Sequence, residues 1–384
     1  MERLVLLWRR GPEHRESLNL QFRNLTSLPT SADGVGIGQF VNLQELAVAH
    51  NSLTFLPSEI GLLEHLQHVW LGYNQLDSLP PEFYQLRSLQ RLSLVKNNLK
   101  ELPSDFGNLV SLQELHLNAN QLERLPPEFS KLVNLQILGL DRNCLQTLPP
   151  KIGQLTKLRK LRLDSNKLTS LPPEIGQLIE LEELNIGCNQ LTSLPPEIYQ
   201  LTKLRKLLLY LNKLTSLPPE IGQLTELKEL NISYNRLTSL PPEICQLAEL
   251  KELYISYNRL TSLPSTADGH GIGQLYELQV LQARSNKIAF FPLDICRLAK
   301  LRSLLLNITN LTIPQDIKCL HKLRTLDMGN FMKSRPLKKL RHLRHCANLR
   351  TTKPFDINVT ALQLKRKRII TVIHVEAAIS FMLS

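Results

Sequence analysis

Ten asparagines recur at an unbroken spacing of 23 residues, and this register constrains the fold more than any other feature of the chain. They are Asn51, Asn74, Asn97, Asn120, Asn143, Asn166, Asn189, Asn212, Asn235 and Asn258. Around each asparagine the same frame of leucines returns, as in Leu158-x-x-Leu161-x-Leu163-x-x-Asn166-x-Leu168. We number the frame from its first leucine, so that the asparagine is position nine. A fixed period of this length indicates one elongated body of stacked repeats.

The frame predicts one short strand and one turn in each repeat. Alternation around positions four to six points the leucines inward, and strands of successive repeats pair in parallel at about 4.7–4.9 Å. The asparagine side chain carries donors and an acceptor for backbone groups that the turn would bury unpaired. Prolines then favour a loose turn and a short helical piece on the opposite side. The predicted fold is therefore α/β, a curved solenoid with a parallel concave sheet and short helical or irregular convex segments.

The frame degrades at both ends, which divides the chain into three predicted segments. Residues 1–17 form an N-terminal cap, residues 18–331 hold about 13 repeats with degenerate terminal ones, and residues 332–384 form a basic tail or cap. Leucine supplies 84 of the 384 residues, enough to fill a core that runs through every repeat. The tail holds 12 basic and 2 acidic side chains, so it carries most of the net charge of +12. The repeat body itself is close to neutral.

No arrangement of residues predicts catalysis, a metal site or a cofactor. The chain shows no arguable Ser/His/Asp or Cys/His trio, no HExxH motif and no completed set of zinc ligands. Residues 30–39 and 265–274 are glycine-rich near copies, but both lack the Gly-Lys-Ser/Thr of a phosphate-binding loop. We interpret them as loop insertions on the convex side. The sequence therefore predicts a protein that is not an enzyme.

Positions three, five, seven and eight of the frame point outward on the strand side and predict the binding surface. Exposed bulky aromatics are typical of interaction hot spots, and charges beside them orient a partner. The predicted partner-binding residues are His68, Trp70, Tyr73, Arg142, Arg162, Leu208, Tyr210, Tyr234, Tyr254 and Tyr257. Because neighbouring strands are one repeat apart, we expect the last four tyrosines to form one continuous exposed strip.

Cysteine usage and hydropathy predict a cytoplasmic protein without a transmembrane span. Six cysteines are spread thinly with no CxxC motif, no signal-peptide core is present, and no stretch of about 20 apolar residues occurs. In the tail, Lys365, Arg366, Lys367 and Arg368 fit either nuclear import or contact with an anionic membrane surface. No recognised nucleic-acid-binding fold or interleaved aromatics accompany them, so specific nucleic-acid binding is not expected.

The segment Leu-Thr-Ser-Leu-Pro-Pro-Glu-Ile-Gly-Gln-Leu occurs whole at residues 168–178 and 214–224. With this segment, residues 18–331 resemble the intracellular 23-residue leucine-rich repeat proteins linked to Ras signalling. These are the animal Shoc/Sur-type scaffold and the plant intracellular Ras-group proteins. The resemblance implies a scaffold that binds signalling proteins along its concave face, such as a small GTPase or a phosphatase or kinase complex.

The favoured function is a non-enzymatic scaffold or adaptor in intracellular signal transduction. Two alternatives remain open from the sequence. The chain fits a recognition or regulatory fragment of a larger signalling enzyme whose kinase or GTPase part is absent, and it also fits an adaptor that reaches an anionic membrane surface through its basic tail.

Overall fold

The repeats assemble into one parallel sheet. The computed structural model describes residues 15–33, 36–264, 271–307, 315–327 and 348–350. Within them, 15 strands pair strictly in chain order. They are β1 Ser17–Asn19, β2 Glu45–Ala47, β3 His68–Trp70, β4 Arg91–Ser93, β5 Glu114–His116, β6 Ile137–Gly139, β7 Lys160–Arg162, β8 Glu183–Asn185, β9 Lys206–Leu208, β10 Glu229–Asn231, β11 Glu252–Tyr254, β12 Val280–Ala283, β13 Ser303–Leu306, β14 Thr325–Asp327 and β15 Asn348–Arg350. Each strand pairs with its neighbours one repeat away, as in Lys160↔Glu183 and Glu183↔Lys206.

Each strand is short because only its central leucine needs to be buried. In β7, Leu161 is fully buried between Lys160 and Arg162, which face outward. This alternation repeats along the sheet, so positions three and five form the concave face while position four enters the core. The leucines of neighbouring repeats bury one another, and one continuous core runs through the described repeats.

The convex side is built from short 3₁₀ helices. They are Ser31–Asp33, Ile37–Gln39, Ser58–Leu62, Pro81–Gln85, Ser104–Asn108, Pro127–Lys131, Pro150–Gln154, Pro173–Gln177, Pro196–Gln200, Pro219–Gln223, Pro242–Gln246, Ile272–Gln274, Leu293–Arg297 and Gln315–Cys319. In the regular repeats the first proline is extended and the second begins the helix, as at Pro172 and Pro173. Proline suits that place because the first helical N–H has no intrahelical acceptor. None of the described helices has the length and apolar character needed to cross a membrane.

The asparagines form a hydrogen-bonded ladder through the body. Asn166 donates from Nδ2 to the carbonyls of Leu140 and Leu163, at 3.0 Å each, and its Oδ1 accepts the Leu145 N–H at 3.0 Å. The carbonyl of Leu140 and the N–H of Leu145 belong to the preceding repeat, so every side chain ties two repeats together. The pattern returns from Asn51 to Asn286. The predicted ladder and the predicted fold class are both confirmed.

The residue before each ladder asparagine adopts a left-handed backbone conformation. Position eight has φ between 51° and 58° in every described repeat. These residues are Phe22, His50, Tyr73, Lys96, Ala119, Arg142, Ser165, Cys188, Leu211, Tyr234, Tyr257 and Ser285. None of them is glycine, although this region costs a residue with a Cβ atom roughly 1–2 kcal/mol. The asparagine hydrogen bonds on either side of the turn hold this conformation in place.

The predicted ends of the body lie largely outside the described residues. Residues 1–14, most of the tail, and the Gly-rich insertions at 34–35 and 265–270 belong to that part. Strand β15 falls inside the segment predicted as a tail or cap, and it pairs in parallel with β14. The segment boundaries themselves stay predictions.

Replacing a ladder asparagine should destabilise the whole body. We expect Asn166→Leu to lower the free energy of unfolding by about 1–3 kcal/mol, since buried backbone groups lose their partners. Chemical denaturation followed by circular dichroism measures the change. Asn108→Leu, at an exposed asparagine that ends a convex helix, is the matched control and should change stability little. Equal effects of the two variants would contradict the ladder argument.

Glycine at position eight should stabilise the protein. Ala119 has φ of 54°, and we expect Ala119→Gly to raise the free energy of unfolding by about 1 kcal/mol, because glycine adopts this region without steric cost. Ala47→Gly, in strand β2, should instead lower it by about 0.5–1 kcal/mol. Thermal unfolding of both variants measures the difference. Loss of stability in Ala119→Gly would show that the left-handed turn carries no strain.

Candidate functional site

The outward positions of the strands line two depressions on the concave face. One, of about 520 Å³, lies over strands β7 to β9 and the turns before them, and its lining includes Asp141, Arg142, Arg162, Asp164 and Leu208. The other, of about 360 Å³, lies near the first strands and is lined by residues that include Trp70 and Tyr73. Of the predicted binding residues, Arg142, Arg162 and Leu208 line the central groove, Trp70 lines the N-terminal depression, and Tyr73 lines both.

Charged side chains in the central groove pair across strands. Lys160 lies 2.9 Å from Glu183, and Lys206 lies 2.7 Å from Glu229. The four residues occupy position three in successive repeats, so each ion pair joins two neighbouring strands. These pairs are partly exposed and stabilise the fold only slightly. Their main effect is to leave the groove with alternating charge.

Two aspartates at position seven form the acidic floor of the groove. Asn118 donates from Nδ2 to Asp141, and Asn185 donates from Nδ2 to Asp164 Oδ1 at 2.8 Å. Burial raises the pKa of both carboxyls, and the charge of Asp141 further raises that of Asp164, to about 6. The positive charges of Arg142 and Arg162 lower the pKa of Asp164, but by less than burial raises it. From the outward positions of these repeats, the predicted binding residues include the two arginines but not this acid pair.

Tyr210 lies next to Asp164 and Asn185, which line this groove. Its ring covers Gly187, where a Cβ atom would lie 2.5 Å from a ring carbon, so the close packing requires glycine. Burial raises the pKa of Tyr210 to about 12, and the nearby charge of Asp164 adds to the effect. Tyr210 is therefore half-buried against the neighbouring turn, where the sequence predicted an exposed anchor.

Tyr234 and Tyr257 form a stacked pair at position eight. Their ring centroids lie 4.1 Å apart and the planes differ by only 8°. Leu211 occupies the same position one repeat earlier and is 37% exposed, and Tyr257 is 40% exposed. Three neighbouring turns thus present an apolar and aromatic surface beside the central groove. Such exposed surface is typical of interaction sites.

Tyr254 lies along its own strand. Its hydroxyl donates to Glu252 Oε2 at 2.7 Å, and burial with this hydrogen bond raises its pKa. With Tyr210 packed on Gly187, the continuous strip of four tyrosines predicted from the register is wrong. The four tyrosines occupy three different frame positions and find different neighbours, and of the four only Tyr257 is exposed.

The N-terminal end carries a longer aromatic column, also at position eight. Phe22 stacks on His50 with centroids 4.3 Å apart, and His50 stacks on Tyr73 at 4.2 Å. The Lys96 ammonium lies 5.1 Å from the centroid of the Tyr73 ring. The sequence prediction included Tyr73 but missed Phe22 and His50. Their shared register with Tyr73 was the signal that could have found them.

The remaining predicted residues are placed as follows. Trp70 and His68 lie in β3, both half-buried, and Leu208 is half-buried at the end of β9. Among the described cysteines, Cys144, Cys188, Cys245, Cys296 and Cys319 are free thiols. Within the described residues no group of three His, Cys, Asp or Glu side chains is placed to hold a metal ion. The basic run from Lys365 to Arg368 lies outside the described residues.

A parallel sheet that grows by one strand per repeat, with an asparagine ladder behind it, defines the leucine-rich repeat class of solenoids. Family comparison agrees: a model of the leucine-rich repeat region matches residues 18–121 and 115–214, and a second leucine-rich repeat model matches residues 202–260 and 225–288. The chain therefore belongs to the leucine-rich repeat family. Neither matched model describes a catalytic domain, and domains of this family are generally binding scaffolds.

Solved structures place the fold among bacterial and plant proteins. The chain is similar to the leucine-rich repeat protein LIC12759 of Leptospira interrogans, with 35% identity and a TM-score of 0.77, over 90% of this chain and 98% of that one. It is also similar to the plant peptide hormone receptor RGFR1, solved in complex with RGF2, with 30% identity and a TM-score of 0.57 over 76% of this chain and 57% of that one. An internalin, inlF of Listeria monocytogenes, shares the fold at 22% identity and a TM-score of 0.66, over 90% of this chain and 92% of that one. A comparison with curated protein sequences gives no match.

The acid pair makes stability depend on pH. Because folding raises the Asp164 pKa from 3.8 to about 6, the native state loses stability as pH rises through that window. Asp164→Asn keeps an acceptor for Asn185 and removes the charge. We expect Asp164→Asn to stabilise the protein by about 1 kcal/mol above pH 6 and to have no effect below pH 4. This value is smaller than the full pKa shift would give, because Asp164 is partly exposed to solvent. Urea denaturation at pH 4 and pH 7 measures this, and an equal effect at both pH values would contradict it.

Proposed function

We propose that the protein is a non-enzymatic scaffold or adaptor that binds protein partners on its concave face during intracellular signal transduction. The stacked Tyr234 and Tyr257, with Leu211 beside them, carry this proposal. Large apolar side chains that face solvent in a rigid array supply anchor residues without a large cost of ordering. In the described region they adjoin a charged groove, and neighbouring repeats hold both in place.

The central groove supports orientation of the partner. Arg142 and Arg162 stand beside the acidic floor formed by Asp141 and Asp164, so positive and negative charge lie within one depression. Such a pattern favours binding of a charged partner surface in one orientation and disfavours the others. The groove would therefore set the position of the partner, while the tyrosine pair supplies apolar contact.

The comparisons support a protein or peptide as the partner class. RGFR1, which shares the fold, was solved in complex with RGF2. The resemblance of residues 18–331 to Ras-linked repeat proteins favours a signalling protein, such as a small GTPase or a phosphatase or kinase complex. The five described free thiols favour a reducing, cytoplasmic setting. Nuclear entry or membrane contact through the basic run would modify this location.

Removing the tyrosine pair should abolish partner binding. We expect Tyr234→Ala combined with Tyr257→Ala to weaken capture of partners from native lysate by at least about thirtyfold, since one hot-spot aromatic contributes at least about 2 kcal/mol. Quantitative pull-down with mass spectrometry measures the loss and identifies the captured proteins. The circular dichroism spectrum should stay unchanged.

Tyr276→Ala is the matched control. Tyr276 is 63% exposed on the turn that follows a convex helix, so this variant removes an exposed tyrosine that lies outside the concave face. Capture by this variant should equal that of the native protein. If the double variant captures partners as well as the control does, the concave tyrosines are not the binding surface.

A further inference from the structure

The N-terminal depression has a floor of small residues and an aromatic wall. Ala47, Ala49 and Gly72 form part of its lining, and Trp70 stands between Ala47 and Ser93 on the neighbouring strands. Because both flanking side chains are small, the indole is not covered by a bulky neighbour along the sheet. The volume of about 360 Å³ falls within the range of roughly 300–1,000 Å³ that is usual for ligand sites.

A carboxylate is fixed beside this indole. Trp70 donates from Nε1 to Glu45 Oε1 at 3.3 Å, and the Ser17 hydroxyl donates to Glu45 Oε2 at 3.4 Å. The two hydrogen bonds hold the carboxylate at the edge of the depression and leave its remaining lone pairs available. Trp70 and Glu45 therefore act as one preorganised unit.

Within the described residues neither Glu45 nor Glu252 forms an ion pair, whereas three other acids at position three do. Glu114 pairs with Arg91, Glu183 with Lys160 and Glu229 with Lys206. The lining of the depression includes the Glu45 carboxylate and no lysine or arginine.

Neither His68 nor Lys96 forms an ion pair with Glu45 in the described structure. His68 is the partner of Glu45 in strand register, but it does not line the depression. The Lys96 ammonium lies over the Tyr73 ring, whose other neighbour in the stack is His50. Among the side chains that the structure describes, the depression thus combines an aromatic wall with a carboxylate that has no ion-pair partner.

We propose that this depression binds an arginine side chain of the protein partner, with the guanidinium stacked on Trp70 and hydrogen-bonded to Glu45. A planar guanidinium matches both groups at once, because it stacks on aromatic faces and donates to a carboxylate through a fixed fork. A lysine ammonium satisfies the carboxylate alone and is more strongly hydrated. This inference rests on the proposed function in one respect: the arginine is taken to belong to a protein partner.

A small arginine probe tests the pocket without any partner. The chain has two tryptophans, so Trp8→Phe leaves Trp70 as the source of the single indole N–H resonance. We expect Nα-acetyl-L-argininamide to shift this resonance saturably, with a dissociation constant in the roughly millimolar range. The citrulline analogue, which has the same shape without the charge, should cause no saturable shift, and the lysine analogue should bind several-fold more weakly.

Two carboxamide variants provide the control. Glu45→Gln keeps an acceptor for Trp70 and should weaken the arginine probe at least about tenfold. Glu252→Gln changes the same frame position at a distant strand, where Tyr254 is the hydrogen-bond partner, and should leave binding unchanged. An equal response to the citrulline probe, or unchanged affinity in Glu45→Gln, would overturn the arginine site. Loss of partner capture in the tyrosine double variant is measured separately, so either idea can fail alone.

Discussion

The asparagine ladder is the interaction on which the rest of the structure depends. A chain that turns away from its strand after every few residues would leave backbone groups unpaired in the interior. One amide side chain per repeat supplies two donors and an acceptor, as Asn166 does for Leu140, Leu145 and Leu163. Because the buried backbone groups of every turn are paired in the same way, each further repeat adds one layer of leucines to the core.

The same ladder shapes the binding surface. The residue before each ladder asparagine lies in the left-handed region, as does Phe22 before Arg23 in the first repeat, so position eight returns with the same backbone conformation along the sheet. Two segments of this position-eight series are aromatic, the stack from Phe22 to Tyr73 and the pair Tyr234 and Tyr257. Backbone strain that the core tolerates thus presents aromatic rings to a partner in fixed order.

Charged groups on the concave face do not all favour folding. Asp164 is held partly buried beside Asp141, at a cost in stability near neutral pH, while Glu45 is fixed without a counter-ion. A surface selected only for stability would pair these charges, as Lys160 and Glu183 do. Functional surfaces commonly retain groups with perturbed pKa values, and here Asp141 and Asp164 line the central groove.

The sequence by itself determined the solenoid, the buried leucines, the ladder and the outward positions of each strand. It could do so because each depends on residues within one repeat and on a strict period. It did not determine where outward side chains turn. The Tyr210 ring covers Gly187, the Trp70 indole donates a hydrogen bond to Glu45, and the Tyr254 hydroxyl bonds a residue of its own strand. The side chains that were expected to form one strip therefore lie at separate places. Tertiary structure decided these contacts because their partners come mostly from the neighbouring repeat, and the space that each neighbour leaves selects the rotamer.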